Sequence, residues 1–164
     1  MVLVGVVSDT HNNIKNIEKI ISIFNEEKVD LVIHTGDISQ AETLKLFSKL
    51  ESSLYGVFGN NDRSEIGLEE VCNQYNFSFQ EPPLLMEMLD KKIAVFHEPH
   101  LINEYLKSNN DIDLVLYGHT HRYNQEMIGK TLLFNPGESA GLMAGKNATG
   151  IVDLKNLVIR RIFF

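Results

Sequence analysis

Seven residues of metal-ligating type fall in five places along this chain: Asp9-x-His11, Gly36-Asp37, Gly59-Asn60, the lone His97, and Gly118-His119-Thr120-His121. Two carboxylates, four histidines and an asparagine amide are enough to hold two divalent cations. Mixed oxygen and nitrogen donors suit Mn, Fe, Zn, Ni or Co, and argue against Ca or Mg as dedicated ions. Two such ions, about 3.5–4 Å apart, clamp a phosphoryl group in an in-line displacement. A bridging water with its pKa lowered by both cations is then the expected nucleophile, and the cations stabilise charge on the equatorial oxygens. A carboxylate has two oxygens, so Asp37 can bridge both ions, and Gly36 lets the backbone approach closely. Taken singly, Asp-x-His, Gly-Asp and Gly-Asn-Asn-Asp are weak signals, the last reading as a turn. Their joint occurrence in this order carries the expectation.

The elements that position these residues recur in a pattern. Val2–Val7 precedes Asp9, Leu31–Ile33 precedes Asp37, Leu54–Phe58 precedes Asn60, Ile93–Phe96 precedes His97, and Leu114–Tyr117 precedes His119. Each run reads as a buried strand, so ligand types appear where strands end, the place where an open α/β sheet builds its crevice. Helices are expected over 13–27, with Ile14, Ile17, Ile20, Ile21 and Phe24 at helical spacing and Asn12 or Asn13 as cap, and over 40–50 with Ser39 as cap. Further helices are expected over 64–75 and 101–107. Strand, helix, strand, helix, strand implies parallel pairing with crossover helices. The later chain reads as hairpins, 84–89 with 93–97, 124–128 with 131–134, and 148–154 with 157–163. The expected architecture is one α/β domain over 1–164 with a mixed sheet, as two sheets packed face to face between helices.

Composition narrows the class. The chain has 164 residues, 43% hydrophobic and 23% charged, with net charge −7. That length supports a real core. The apolar start is too short for a signal peptide and lacks a basic leader. Nothing approaches a membrane-spanning run. The single cysteine, Cys72, excludes an internal disulfide and fits a reducing cytoplasm. An acidic chain without a basic run is poorly suited to long nucleic acid. A phosphate substrate remains compatible: two divalent cations against Asp9 and Asp37 leave the cluster positive by about 2 charges.

The order Asp-x-His, Gly-Asp, Gly-Asn-x-Asp, His, Gly-His-x-His resembles the calcineurin-like metallophosphoesterase superfamily over residues 4–137. The small size and the closing Asn135-Pro136-Gly137 are similar to YfcE-type phosphodiesterases and to the small phosphodiesterases of methanogenic archaea. The resemblance implies a four-layer αββα sandwich and a metal-dependent phosphodiesterase acting on small phosphodiesters. It implies that Asp9, His11, Asp37 and His121 hold one ion and Asp37, Asn60, His97 and His119 the other, with Asp37, Asn60 and His97 catalytic and Mn or Ni supporting activity.

This chain departs from that pattern twice. Many members carry Gly-Asn-His-Asp/Glu, whose His assists the leaving group; here Asn61 stands in its place, and Asp62, which would have oriented that His, remains. Loss of a general acid should cost about 10²–10⁴ in rate for poor leaving groups. Many members also have Gly after the lone His, where this chain has Glu98, adding negative charge beside the site. His100 could supply the missing acid or be a solvated residue at a helix start, and His34 reads as a residue that packs behind Asp37 or supports the ligands from a second layer. Two other functions stay open: a protein-interaction scaffold like the small retromer subunit, which has this fold, and a phosphohydrolase of cyclic or short nucleotides. The ending Ile162-Phe163-Phe164 and Leu142-Met143 can cap the core or mark a homo-oligomer interface.

Overall fold

A computed structural model describes residues 2–164 as two β-sheets packed between helices. The first sheet has strand order β11-β10-β1-β2-β3-β4 and the second β5-β6-β7-β9-β8. The strands are β1 Leu3–Val7, β2 Leu31–His34, β3 Ser53–Val57, β4 Ser78–Gln80, β5 Leu84–Met88, β6 Lys91–Val95, β7 Leu114–Leu116, β8 Asn124–Ile128, β9 Thr131–Asn135, β10 Ala148–Asp153 and β11 Val158–Phe163. Helices α1 Ile14–Glu26, α2 Ala41–Leu46 and α3 Leu68–Tyr75 follow β1, β2 and β3, and α4 Ile102–Ser108 follows β6.

Both sheets are mixed. β1 to β4 pair in parallel, with β10 and β11 antiparallel. In the second sheet β6, β7 and β9 are parallel, and β5 and β8 join as antiparallel edges. The three expected hairpins are present. Because side chains alternate across a strand, Val4 and Val6 of β1 face the second sheet, where they join Ile93, Val95, Leu114, Leu116 and Phe134 between the sheets. Val7, Val32 and Leu54 pack outward against Ile17, Ile20, Ile21 and Phe24 of α1, with Leu44 and Leu68. Ala94, Phe96, Val115 and Leu133 pack outward against Ile102 and Leu106 of α4. The layers are thus helix, sheet, sheet, helix. Strands covered on both faces explain the near-continuous apolar runs in the sequence.

Three local expectations are corrected. Ser39 does not cap α2: its backbone is left-handed (φ 79°) and its N–H donates to Asp62. The N-cap position is Gln40, with no side-chain cap; Asn12 tethers the helix start from the preceding loop, its Oδ1 accepting from Gln40 N and Thr43 Oγ1, both at 2.9 Å. The helix expected over 64–75 begins only at Leu68, because Gly67 (φ 92°) interrupts it and residues 60–63 fold as turns around the Asp62 side chain. The helix expected over 40–50 is α for six residues and then tightens to a 3-10 turn at Phe47–Lys49. Asn13, not Asn12, caps α1, accepting from Asn16 N at 3.1 Å. Among the described residues, no helix is long and apolar enough to cross a membrane.

Candidate metal centre

The five ligand-type segments meet where the two sheets abut. Asp9, Asp37 and Asn60 lie just past the C-terminal ends of parallel strands β1, β2 and β3, and His97 and His119 just past those of β6 and β7. Asp9, Asp37 and His97 are buried, His11 and His121 half-buried, and Asn60 and His119 exposed, so the cluster runs from the interior to an open surface.

The donor atoms converge around Asp37. Its Oδ2 is 3.5 Å from His11 Nε2 and 3.4 Å from His97 Nε2. On the His11 side, His121 Nε2 is 3.2 Å from His11 Nε2 and 3.6 Å from Asp9 Oδ1, and the two rings stack at 5.1 Å. On the other side, Asn60 Oδ1 is 3.0 Å from both His97 Nε2 and His119 Nδ1. Two triads result, Asp9/His11/His121 and Asp37/His97/His119, with ligand atoms in each within 4.8 Å of one another.

His97 provides a test of fit for a cation. Its Nδ1 lies 2.9 Å from the Thr35 carbonyl, which only accepts, so Nδ1 carries the hydrogen. In the neutral ring Nε2 is then a bare lone pair, aimed at Asp37 Oδ2 and Asn60 Oδ1, both acceptors in their simplest orientation. Acceptors crowding together without a hydrogen between them repel, and a positive centre resolves the conflict. Burial opposes a charged His97, yet a hydrogen bond to Asp37 and the charges of Asp37 and Asp9 outweigh it and raise its pKa, so the place at Nε2 favours positive charge, whether proton or cation. Burial also opposes Asp37 ionisation, but His97 and the two Asn61 donors hold that carboxyl well below the usual range. Asp9, more deeply buried, is pushed up by desolvation despite the Ser8 hydroxyl that donates to it.

The surrounding residues hold the loops. Asp62 is 3% exposed and its carboxylate accepts four backbone N–H bonds, from Asp37 and Gly59 on Oδ2 and from Ile38 and Ser39 on Oδ1, at 2.7–2.9 Å. It therefore ties the Gly-Asp loop to the Gly-Asn loop. Asn61 holds the Asp37 carboxylate, its backbone N–H on Oδ1 at 2.9 Å and its Nδ2 on Oδ2 at 2.7 Å. His34 is wholly buried, accepts from Gly36 N through Nδ1 at 3.1 Å, and meets Thr10 Oγ1 through Nε2 at 3.2 Å; burial pushes its pKa down to about 3. It stands behind the candidate ligands, as expected of a residue that packs or supports them from the second layer. Asn135 orders the Gly-His-Thr-His loop, donating to Gly118 O at 2.9 Å and Thr120 Oγ1 at 3.2 Å. Gly118 is required there: a Cβ would lie 1.9 Å from Ser8 Oγ and 2.8 Å from Asp9 Oδ2.

His100 is exposed on the 3-10 turn Pro99–Leu101 and forms no hydrogen bond with the cluster. The Glu98 carboxylate pairs with Arg63 (3.6 Å), which also meets Glu81 (3.5 Å), so a cation partly offsets its charge. Sequence reasoning missed Glu138, which is 1% exposed with Oε2 at 3.1 Å from His121 Nδ1. Its position directly after Asn135-Pro136-Gly137 was the available signal.

Comparison with known proteins identifies the family. Residues 2–157 match the calcineurin-like phosphoesterase superfamily domain. The chain belongs to that superfamily. A phosphodiesterase of Methanocaldococcus jannaschii is 34% identical over 161 residues, covering 97% of each chain, and the phosphodiesterase YfcE of Escherichia coli K12 is 24% identical over 93% of this chain and 86% of its own length. A solved archaeal phosphodiesterase superposes with TM-score 0.90 at 33% identity over 99% of both chains. Vps29 of Entamoeba histolytica, solved with Zn²⁺, shares the fold at TM-score 0.70 and 16% identity over 98% of both chains. Family membership implies a phosphoester hydrolase that uses divalent metals, and the two triads are the places that could hold them.

Proposed function

We propose that this protein hydrolyses small phosphodiesters with two divalent transition-metal ions, Mn or Ni in first place. Asp9, His11, Asp37 and His121 hold one ion; Asp37, Asn60, His97 and His119 hold the other. The observation that carries the reading is that one oxygen, Asp37 Oδ2, lies close to both His11 Nε2 and His97 Nε2, at 3.5 and 3.4 Å. The M. jannaschii and E. coli relatives, both named phosphodiesterases, support the diester substrate.

When bound, the ions supply Lewis acidity toward the phosphoryl oxygens and an acidified water. The chain supplies the rest. Thr35 O fixes the His97 tautomer so that Nε2 points inward. Asn61 fixes both oxygens of Asp37. Asn61 has no proton of useful acidity, and His100 sits away from the ligand contacts, so the substrate has a good leaving group or its proton comes from solvent. Exposed His119 and Asn60 leave the site open to small substrates, cyclic or short nucleotides among them. The free Cys72, buried on α3, fits a reducing cytoplasm.

The test is metal content after reconstitution together with hydrolysis of an activated aryl phosphodiester. Asp37→Asn should lower turnover more than about 10²-fold, since even residues that merely orient a ligand cost about 10–100-fold when lost. Near-parent activity in that variant would overturn the assignment. A pure protein-interaction scaffold has no need of a complete ligand set, and all seven positions here carry ligating types. Recovery of a stable protein partner with no divalent-ion binding above micromolar affinity would favour that alternative.

A further inference from the structure

His121 shows its two ring nitrogens to different partners. Nε2 faces the ligand cluster, and Nδ1 faces Glu138 Oε2 at 3.1 Å. The other oxygen of Glu138, Oε1, accepts from the backbone N–H of Leu142 and, at 3.0 Å, of Met143. One buried carboxylate thus joins a residue of the metal centre to a loop whose Leu142 and Met143 side chains are 73% and 44% exposed. The base of that loop is anchored independently by α1: Asn13 Nδ2 donates to Ala140 O and Asn16 Nδ2 to Ser139 O, both at 2.8 Å.

The chemistry of this bridge is directional. A carboxylate only accepts, so it selects the Nδ1–H form of His121 and leaves the Nε2 lone pair facing the cluster, the form required of a ligand. A cation on Nε2 draws density from the ring and makes Nδ1–H a stronger donor, which tightens the bond to Glu138. Glu138 already holds two N–H groups of the loop. Coupling of this kind is reciprocal: whatever frees the carboxylate from the loop weakens the hold on the ring.

We infer that Glu138 is a positioning residue that couples the 141–146 loop to the metal centre, by fixing the ligating tautomer of His121 with one oxygen and the loop backbone with the other. The inference rests on His121 being a ligand, as proposed above.

Two variants separate the two oxygens' tasks. In Glu138→Gln the amide oxygen can still accept from Leu142 and Met143, while the amide N–H₂ faces His121 Nδ1 and drives the hydrogen to Nε2. The readouts are the ¹⁵N shifts of His121 in cation-free protein, Mn²⁺ affinity, and the rate at which a protease cuts within 141–146. Glu138→Gln should switch the tautomer and weaken Mn²⁺ binding about 10–100-fold, with the loop still protected. Glu138→Ala should lose affinity and loop protection together. Parent-like tautomer and affinity in Glu138→Gln would overturn the inference, as would unchanged loop cleavage in a folded Glu138→Ala. Should the parent bind no Mn²⁺, the metal-centre proposal falls, and the cation-free tautomer comparison still decides what Glu138 does to His121.

Discussion

Asp62→Asn is the sharpest perturbation the structure offers, because it changes one atom at the point where two ligand loops meet. Both carboxylate oxygens of Asp62 accept two backbone N–H groups each. An amide has one oxygen, so either orientation places an N–H₂ group against two buried N–H donors. Rotation cannot relieve this, since both sides of the site are donors. Each lost hydrogen bond to a charged acceptor costs about 1.5–3 kcal/mol. Two of them put the expected loss at ~3–6 kcal/mol, against a typical total stability of about 5–15 kcal/mol. Burial raises the Asp62 carboxyl above its ordinary value, and the backbone donors from Gly59, Ser39 and Asp37 counteract that.

The assay is urea denaturation of parent and variant at neutral pH with linear extrapolation, comparing midpoints at unchanged slope. Cation affinity should fall in parallel, because either Asp37 N and Gly59 N or Ile38 N and Ser39 N lose their shared acceptor, and either loss loosens the Gly-Asp loop. A stability loss below about 1 kcal/mol, with Mn²⁺ binding unaltered, would refute the view that Asp62 holds the two loops in register.

Two further outcomes are expected. His34 is neutral in the fold with its pKa near 3, whereas an unfolded histidine titrates near ~6.5. The unfolded state therefore binds more protons between those values, and stability present above pH ~6.5 is lost as pH falls toward about 3, with a ceiling of ~4–5 kcal/mol. His34→Asn should make the stability–pH slope between pH 4 and 6.5 shallower by about one proton; parallel slopes would remove His34 as the cause. Asn61→His places an ionisable ring where the family pattern has one, with Asp62 beside it in sequence. It should raise turnover of an alkyl phosphodiester relative to an aryl one by about 10²-fold or more; an unchanged ratio would show that leaving-group protonation does not limit the rate.

Much of the fold was legible because these strands are buried on both faces. Val4–Val7, Leu31–Ile33, Ile93–Phe96 and Leu114–Tyr117 read as apolar runs, and an Asp or His within a few residues of each run's end marks a strand end with a ligand type near it. β4 was not legible: Ser78–Gln80 has one apolar residue and owes its strand form to pairing with β3. The start of α3 was misplaced because the turn before it is set by a side chain reaching across to another loop, a contact without local signature. Glu138 was missed for the same reason. Its partner His121 lies 17 positions earlier, and an acid after Asn-Pro-Gly reads as a turn.

The feature least visible in sequence is the conformation of the candidate ligand residues themselves. Asp9, His11, Asp37, His119 and His121 all have positive φ, between 39° and 67°, in the left-handed region that L side chains avoid. Each such residue costs about 1–3 kcal/mol and persists only when its surroundings over-determine it. The surroundings here are the other ligand loops. Asp9 N donates to Gly36 O at 3.0 Å, His11 N to Asp37 O at 3.1 Å, and His119 N to the Asp9 carboxylate, while Asp62 secures the backbone of Asp37 through Ser39. The strain in one loop is thus offset by bonds to the next. A substitution in any loop should then disturb donors in the others, and double variants across loops should lose less than the sum of their single losses. The cluster should behave as one object because its backbone is wired loop to loop.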